Sequence, residues 1–134
     1  MSDKTQAAMA VINRMLPPEI SKGLSTGPTK QFGDGLAELG MVACFEPLWT
    51  REGIDLRTRS LVTCAILIAL RAHSELAIHF PAAIRNGASL EDLEEVIYQA
   101  AGYAGFPAAA SAREVAKEAL SKASLSAGLN PMKR

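Results

Sequence analysis

Apolar side chains recur along this chain at spacings of three and four residues and nowhere alternate one by one, so the pattern predicts helices and no strand. Ala8, Val11, Ile12 and Met15 share one face of a helix over residues 5 to 16, which Pro17 and Pro18 then stop. After a Gly/Ser/Pro-rich stretch, GLSTGPT at 23 to 29, a second helical pattern uses Phe32, Leu36, Leu39 and Ala43. Gly33, Gly35 and Gly40 each lower its propensity by about 1 kcal/mol against alanine. Pro47, Trp49, Gly53 and Asp55 read as a turn or loop, with Asp55 placed to cap a helix from Leu56 to Arg71. From Leu61 to Leu70 that helix is apolar all round, which requires surroundings on every side, either at the centre of the domain or at a subunit interface. Ser74 can cap the next helix, which carries Glu75, Leu76, His79 and Ala83 to an end at Asn86-Gly87; Pro81 should kink it or shift its start.

Ser89 and Asp92 form an S-x-x-D capping box ahead of Leu90, Leu93, Val96, Ile97, Ala100 and Ala101, with Glu91, Asp92, Glu94 and Glu95 outward. GYAGF then turns the chain, and Pro107 opens an alanine-rich helix to Ser124, followed by a polar tail, GLNPMKR. The expected fold is therefore all-α, with about six helices in a compact domain over residues 1–134. A chain of 134 residues suffices for one core and is short for two.

Lys plus Arg and Asp plus Glu number 14 each, with no long block of either sign, so nucleic acid is not an expected partner. The longest apolar run is half the length of a membrane span, and the first sixteen residues lack the features of a secretory signal. The expectation is a cytoplasmic protein without a membrane partner. Cys44 and Cys64 stand apart in apolar surroundings and read as buried thiols rather than a redox pair.

Glu75 and His79, four apart, are neighbours on one helix. They form a candidate general acid/base pair beside the most apolar segment, where desolvation would move both pKa values toward neutrality. The alternative is a helix-surface pair worth a few tenths of a kcal/mol. His73 lies six residues before His79, and no CxxC, HxxxH or HExxH occurs, so no metal is expected. All the cationic residues from Arg51 to Arg85 are arginines, which suits either an acidic small molecule or ion pairs between helices. Arg57, Arg59 and Arg85 are the candidate anchors, and Trp49 and Tyr103 are either pocket walls or core.

Several motifs occur together: W-x3-G-x-D-x-R-T-R-S-L at Trp49 to Leu61, E-L-x-x-H at Glu75 to His79, R-N-G at Arg85 to Gly87, E-E-V-I at Glu94 to Ile97 and Y-A-G-F-P at Tyr103 to Pro107. On these, residues 45–120 resemble the carboxymuconolactone decarboxylase family, with its alkylhydroperoxidase-D-like all-helical fold. Thiol peroxidases of the wider family carry C-x-x-C-x-x-x-H. His79 matches that histidine, but Ala72 and Glu75 stand at the cysteine positions and Ser60 at the relay glutamate.

The resemblance therefore implies a decarboxylase with no cofactor, acting on 4-carboxymuconolactone or a related carboxylated lactone. The product would be the enol-lactone of β-ketoadipate, in the aromatic catabolism of protocatechuate. His79 and Glu75 would be catalytic, with Arg57, Arg59, Arg85, Trp49 and Tyr103 binding substrate. It further implies a homo-oligomer, a hexamer in many relatives, with the site near a subunit boundary. The competing readings are a non-catalytic helical oligomer that binds a small carboxylic acid and a peroxidase-like protein lacking the CxxC pair.

Overall fold

A computed structural model of the chain describes residues 2–25 and 31–126. Among them are seven α-helices, one π-helical stretch and no strand, in agreement with the all-α expectation. The chain divides into two compact units, residues 1–55 and 56–134.

In the first unit, α1 (Asp3–Met15) starts where the Ser2 hydroxyl accepts the N–H of Thr5, and it buries Ala8, Ile12 and Met15 as the spacing predicts. The two prolines do more than stop it. Pro18 is the first residue of another helix, α2 (Pro18–Ser25), because a proline at that position loses no helical hydrogen bond and already has the required φ. The stretch expected to be loop therefore begins inside a helix, and its remainder, residues 26–29, lies outside the described residues.

The glycine-punctuated pattern folds as α3 (Gly35–Gly40), which runs straight into a π-helical stretch, Met41–Trp49. Pro47 and Trp49, expected in a turn, belong to that stretch. The Thr5 hydroxyl donates to Glu46 Oε1 at 2.5 Å and joins the stretch to α1.

The second unit is a four-helix arrangement of α4 (Leu56–Ala69), α5 (His73–Arg85), α6 (Leu90–Ala104) and α7 (Phe106–Ser126). α4 and α7 each pack on both α5 and α6. Cys64, Ile68, Leu76, Phe80, Leu93 and Ile97 form its core with a line of alanines from α7 at 108, 109, 112 and 116. The small α7 side chains let its backbone approach the neighbouring helices closely, so an alanine-rich helix with little apolar bulk still belongs to the core.

α6 starts at the predicted capping box: the Asp92 N–H donates to Ser89 Oγ at 3.0 Å and the Ser89 N–H to Asp92 Oδ2 at 2.8 Å. Gly105, at φ +99°, ends α6, and Phe106 rather than Pro107 opens α7. The polar tail lies outside the described residues.

α4 and α5 form a tight hairpin. The N–H of Ala72 bonds back to the Leu67 carbonyl and that of Arg71 to Ile68, a Schellman-type ending in which Arg71 takes the left-handed position usually given to glycine, at φ +55°. This places His73 in the first turn of α5 and Ala72 at its cap, so Ser74 is not the capping residue expected. Pro81 sits inside α5, which is continuous from His73 to Arg85. At its far end, Gly87 at φ +103° and an Ala88 N–H to Ala83 carbonyl bond close the helix, as Asn86-Gly87 predicted.

The encirclement expected of α4 is incomplete in a single chain. Ser60, Cys64 and Ile68 are buried, while Val62, Ile66 and Leu70 on the opposite side stay exposed.

Candidate active site on the α4–α5 hairpin

Residues 75, 79, 82 and 86 fall four, seven and eleven positions apart and so share one line along α5. Ala82 and Asn86 on this line are buried, His79 is 9% exposed, and Glu75, one turn nearer the hairpin bend, is exposed. The expected pair thus straddles the boundary between solvent and core. Burial is the larger influence on the imidazole and pushes the His79 pKa below its ordinary value of 6.5; the negative charge of Glu75 acts in the opposite direction. Only the histidine is desolvated as expected.

The buried end of the line carries a polar contact that sequence reading missed. Asn86 Nδ2 donates to Ser60 Oγ at 3.0 Å, joining α5 to α4 with both side chains essentially out of solvent. Asn86 reads in sequence only as a helix terminator. The available signal was Ser60 itself, a hydroxyl on the same face as Cys64 and Ile68 of an apolar helix.

The three arginines part company. Arg57 makes a bidentate pair with Asp92, Nη2 to Oδ1 at 2.6 Å and Nε to Oδ2 at 3.1 Å, which fastens the start of α4 to the capping box of α6. The Asp92 carboxyl lies below its ordinary pKa because it accepts the Ser89 N–H and, next in size, the Arg57 guanidinium. Arg57 therefore ties helices together. Arg85 is exposed and sits about 120° around α5 from His79. Arg59 is half-buried, one residue before Ser60.

Trp49 is buried in the first unit with its ring 6.3 Å from that of Phe45, on the core side of the two roles open to it. Tyr103 takes neither role within the chain: it is 89% exposed at the end of α6, followed by Phe106 at 77%. Leu93, Ile97 and Ala100 are the buried residues of α6, and Tyr103 comes after the last of them, close to the left-handed Gly105 that ends the helix.

A cleft of about 400 Å³ opens between the start of α5 and the C-terminal half of α7, with His73, Ala77, Glu118 and Lys122 among its walls; Glu75 and His79 are not among them. Cys64 is buried and its thiol is pushed up to about 12, so it holds almost no thiolate at neutral pH. Among the described residues, no three His, Cys, Asp or Glu side chains gather as a metal site, and no helix is long and apolar enough to cross a membrane.

Comparison with known proteins places this hairpin in a wider group. The sequence profile of the carboxymuconolactone decarboxylase family matches residues 36–118. The chain is similar to a 4-carboxymuconolactone decarboxylase of Acinetobacter baylyi, 42% identical over 71 residues covering 53% of either chain. It is also similar to a nitrosuccinic acid decarboxylase of Metarhizium robertsii, 34% identical over 73 residues, or 54% of this chain and 51% of the relative. The chain spans about half the length of the curated relatives it matches.

Proposed function

This chain belongs to the carboxymuconolactone decarboxylase family, and on that footing we propose that it decarboxylates 4-carboxymuconolactone, or a related small acid, without a cofactor. The observation that carries this reading is a desolvated His79 one helical turn from an exposed Glu75, in a chain whose relatives are named as decarboxylases.

The substrate bears a ring carboxylate and an acetate arm. When the bond from the ring to its carboxylate breaks, CO2 leaves and the electron pair spreads through the double bond onto the lactone carbonyl oxygen as a dienolate. His79, as the imidazolium, gives its proton to carbon, and solvent restores that proton past Glu75, so one proton is consumed per turnover. Low polarity around His79 strengthens its attraction for the developing anion. The two substrate carboxylates, on arrival, favour the imidazolium just as Glu75 does.

In this reading Arg59, half-buried and next to Ser60 on α4, holds the acetate arm, while Arg57 ties α4 to Asp92. Gripping the arm that stays stabilises ground and transition states alike, whereas gripping the carboxylate that departs would favour the ground state and lose rate. A nitro-substituted acid would present the same problem, with a nitronate in place of the dienolate, and so belongs in any substrate panel.

The protein acts as a homo-oligomer in this reading, a hexamer by family resemblance. Val62 and Ile66 on α4 and Leu70 just after it, together with Tyr98, Tyr103 and Phe106, are apolar surface that a neighbouring copy would cover. The reading supports a place in the catabolism of aromatic acids.

The test is CO2 release and proton uptake by purified protein supplied with 4-carboxymuconolactone and nitrosuccinic acid, beside a peroxide assay. Release with one proton taken up per CO2 is the expected result. Binding of these acids without turnover would instead make the protein a carboxylic acid carrier. Peroxide turnover lost with Cys64→Ser would restore thiol chemistry.

A further inference from the structure

The α4–α5 hairpin is closed at one end by the Schellman-type bend at Arg71 and at the other by the Asn86–Ser60 hydrogen bond, with His79 between them. We propose that Ser60 and Asn86 are positioning residues, whose hydrogen bond sets the register of α5 on α4 and thereby the placement of the His79 imidazole.

The bend fixes where α5 begins, and the core residues that the two helices bring together, Cys64 and Ile68 from α4 with Leu76, Phe80 and Ala83 from α5, are all apolar. Apolar contacts carry no direction of their own. A buried hydrogen bond does carry direction. Shifting either partner leaves a carboxamide or hydroxyl desolvated without its mate, so the displaced registers are penalised selectively.

Three features prepare Asn86 for this role. It is the C-cap of α5, its backbone N–H is held by the Ala82 carbonyl, and the left-handed Gly87 immediately after it locks the turn. Its side chain is therefore aimed from a stiff backbone at Ser60, which is fully enclosed on α4. Asn86 lies on the same line of α5 as His79, about 10 Å further along, so a rotation of α5 at Asn86 carries the imidazole with it. The charged group nearest His79 on that line is Glu75, on the solvent side, and the same rotation would change how much water reaches the ring.

The catalytic part of this inference rests on the decarboxylase reading; the placement of His79 does not. The chain has two histidines, so the imidazole titrations of His79 and His73 can be followed together by NMR, with His73 as internal reference. Ser60→Ala and Asn86→Ala should each move the His79 titration upward toward the ordinary value as water gains access, leave His73 unchanged, and lower kcat about 10- to 100-fold with KM within about twofold. The double variant should match either single one, because the two residues act as a unit, and Ser60→Thr, which keeps the hydroxyl, should restore both readouts.

If the alanine variants fold poorly, Ser60→Cys keeps the volume while weakening the hydrogen bond and should give the same upward shift. Folded variants in which the His79 titration is unchanged would overturn the proposal, even if their melting temperature falls. A wild-type protein that turns over none of the acids, yet shows the titration shift in Asn86→Ala, would overturn the proposed activity and leave the positioning role standing.

Discussion

His79 is a histidine whose burial, more than any partner, sets its chemistry, and two measurements follow from the direction of that shift. Its folded pKa lies below 6.5, so the unfolded chain binds the proton at a higher pH than the folded one. The stability contributed by burying a neutral imidazole is complete above pH 6.5 and is lost as the pH falls through 6.5 toward the lower folded value. Urea midpoints should therefore drop over that range, and the drop should disappear in His79→Gln.

In catalysis the sign is opposite. With the imidazolium as the proposed proton donor, kcat/KM should fall as the pH rises through the free-enzyme pKa. Glu75→Gln removes the charge that raises that pKa and should move the falling limb to lower pH; a limb that stays in place would disconnect Glu75 from His79. His79→Ala should lower kcat by about 10²–10⁴-fold. Arg59→Ala should chiefly raise KM if the guanidinium holds the arm that remains.

Among the elements, the α4–α5 hairpin and the start of α6 contrast in how far they can be read from the chain. α6 is legible because its signals are local: Ser89 and Asp92 are three residues apart, and the apolar face follows at once. Ser89→Ala should cost about 1 kcal/mol by chemical denaturation. The hairpin bend is not legible, since arginine rarely occupies a left-handed position and nothing adjacent announces one. Its strain predicts that Arg71→Gly raises stability by up to about 1 kcal/mol, the relief of the left-handed penalty less the extra freedom of the unfolded glycine. An unchanged or lower urea midpoint would show that the arginine side chain compensates for its backbone. α2 escaped sequence reading because Pro17-Pro18 carries two opposite meanings, terminating one helix and preparing the first turn of another.

For the whole molecule, the exposed Val62, Ile66 and Leu70 line leads to an association experiment. Light scattering should give a mass several times that of one chain, and Ile66→Glu should reduce it without unfolding the four-helix unit, whose own core lies on the other side of α4. A single-chain mass for the unaltered protein would refute the homo-oligomer.

What the sequence by itself determined is the all-helical class, most helix boundaries to within two or three residues, the capping of α6 and the neighbourhood of Glu75 and His79, because each depends on residues within a few positions of one another. Only the tertiary structure decided that Arg57 belongs to Asp92, that Ser60 meets Asn86 across 26 residues, that Tyr103 faces outward and that burial divides Glu75 from His79. Those outcomes depend on which helix faces which. Periodicity shows that a face is apolar without naming its partner, and a polar side chain on such a face acquires a role only when the opposing helix supplies the atom it meets.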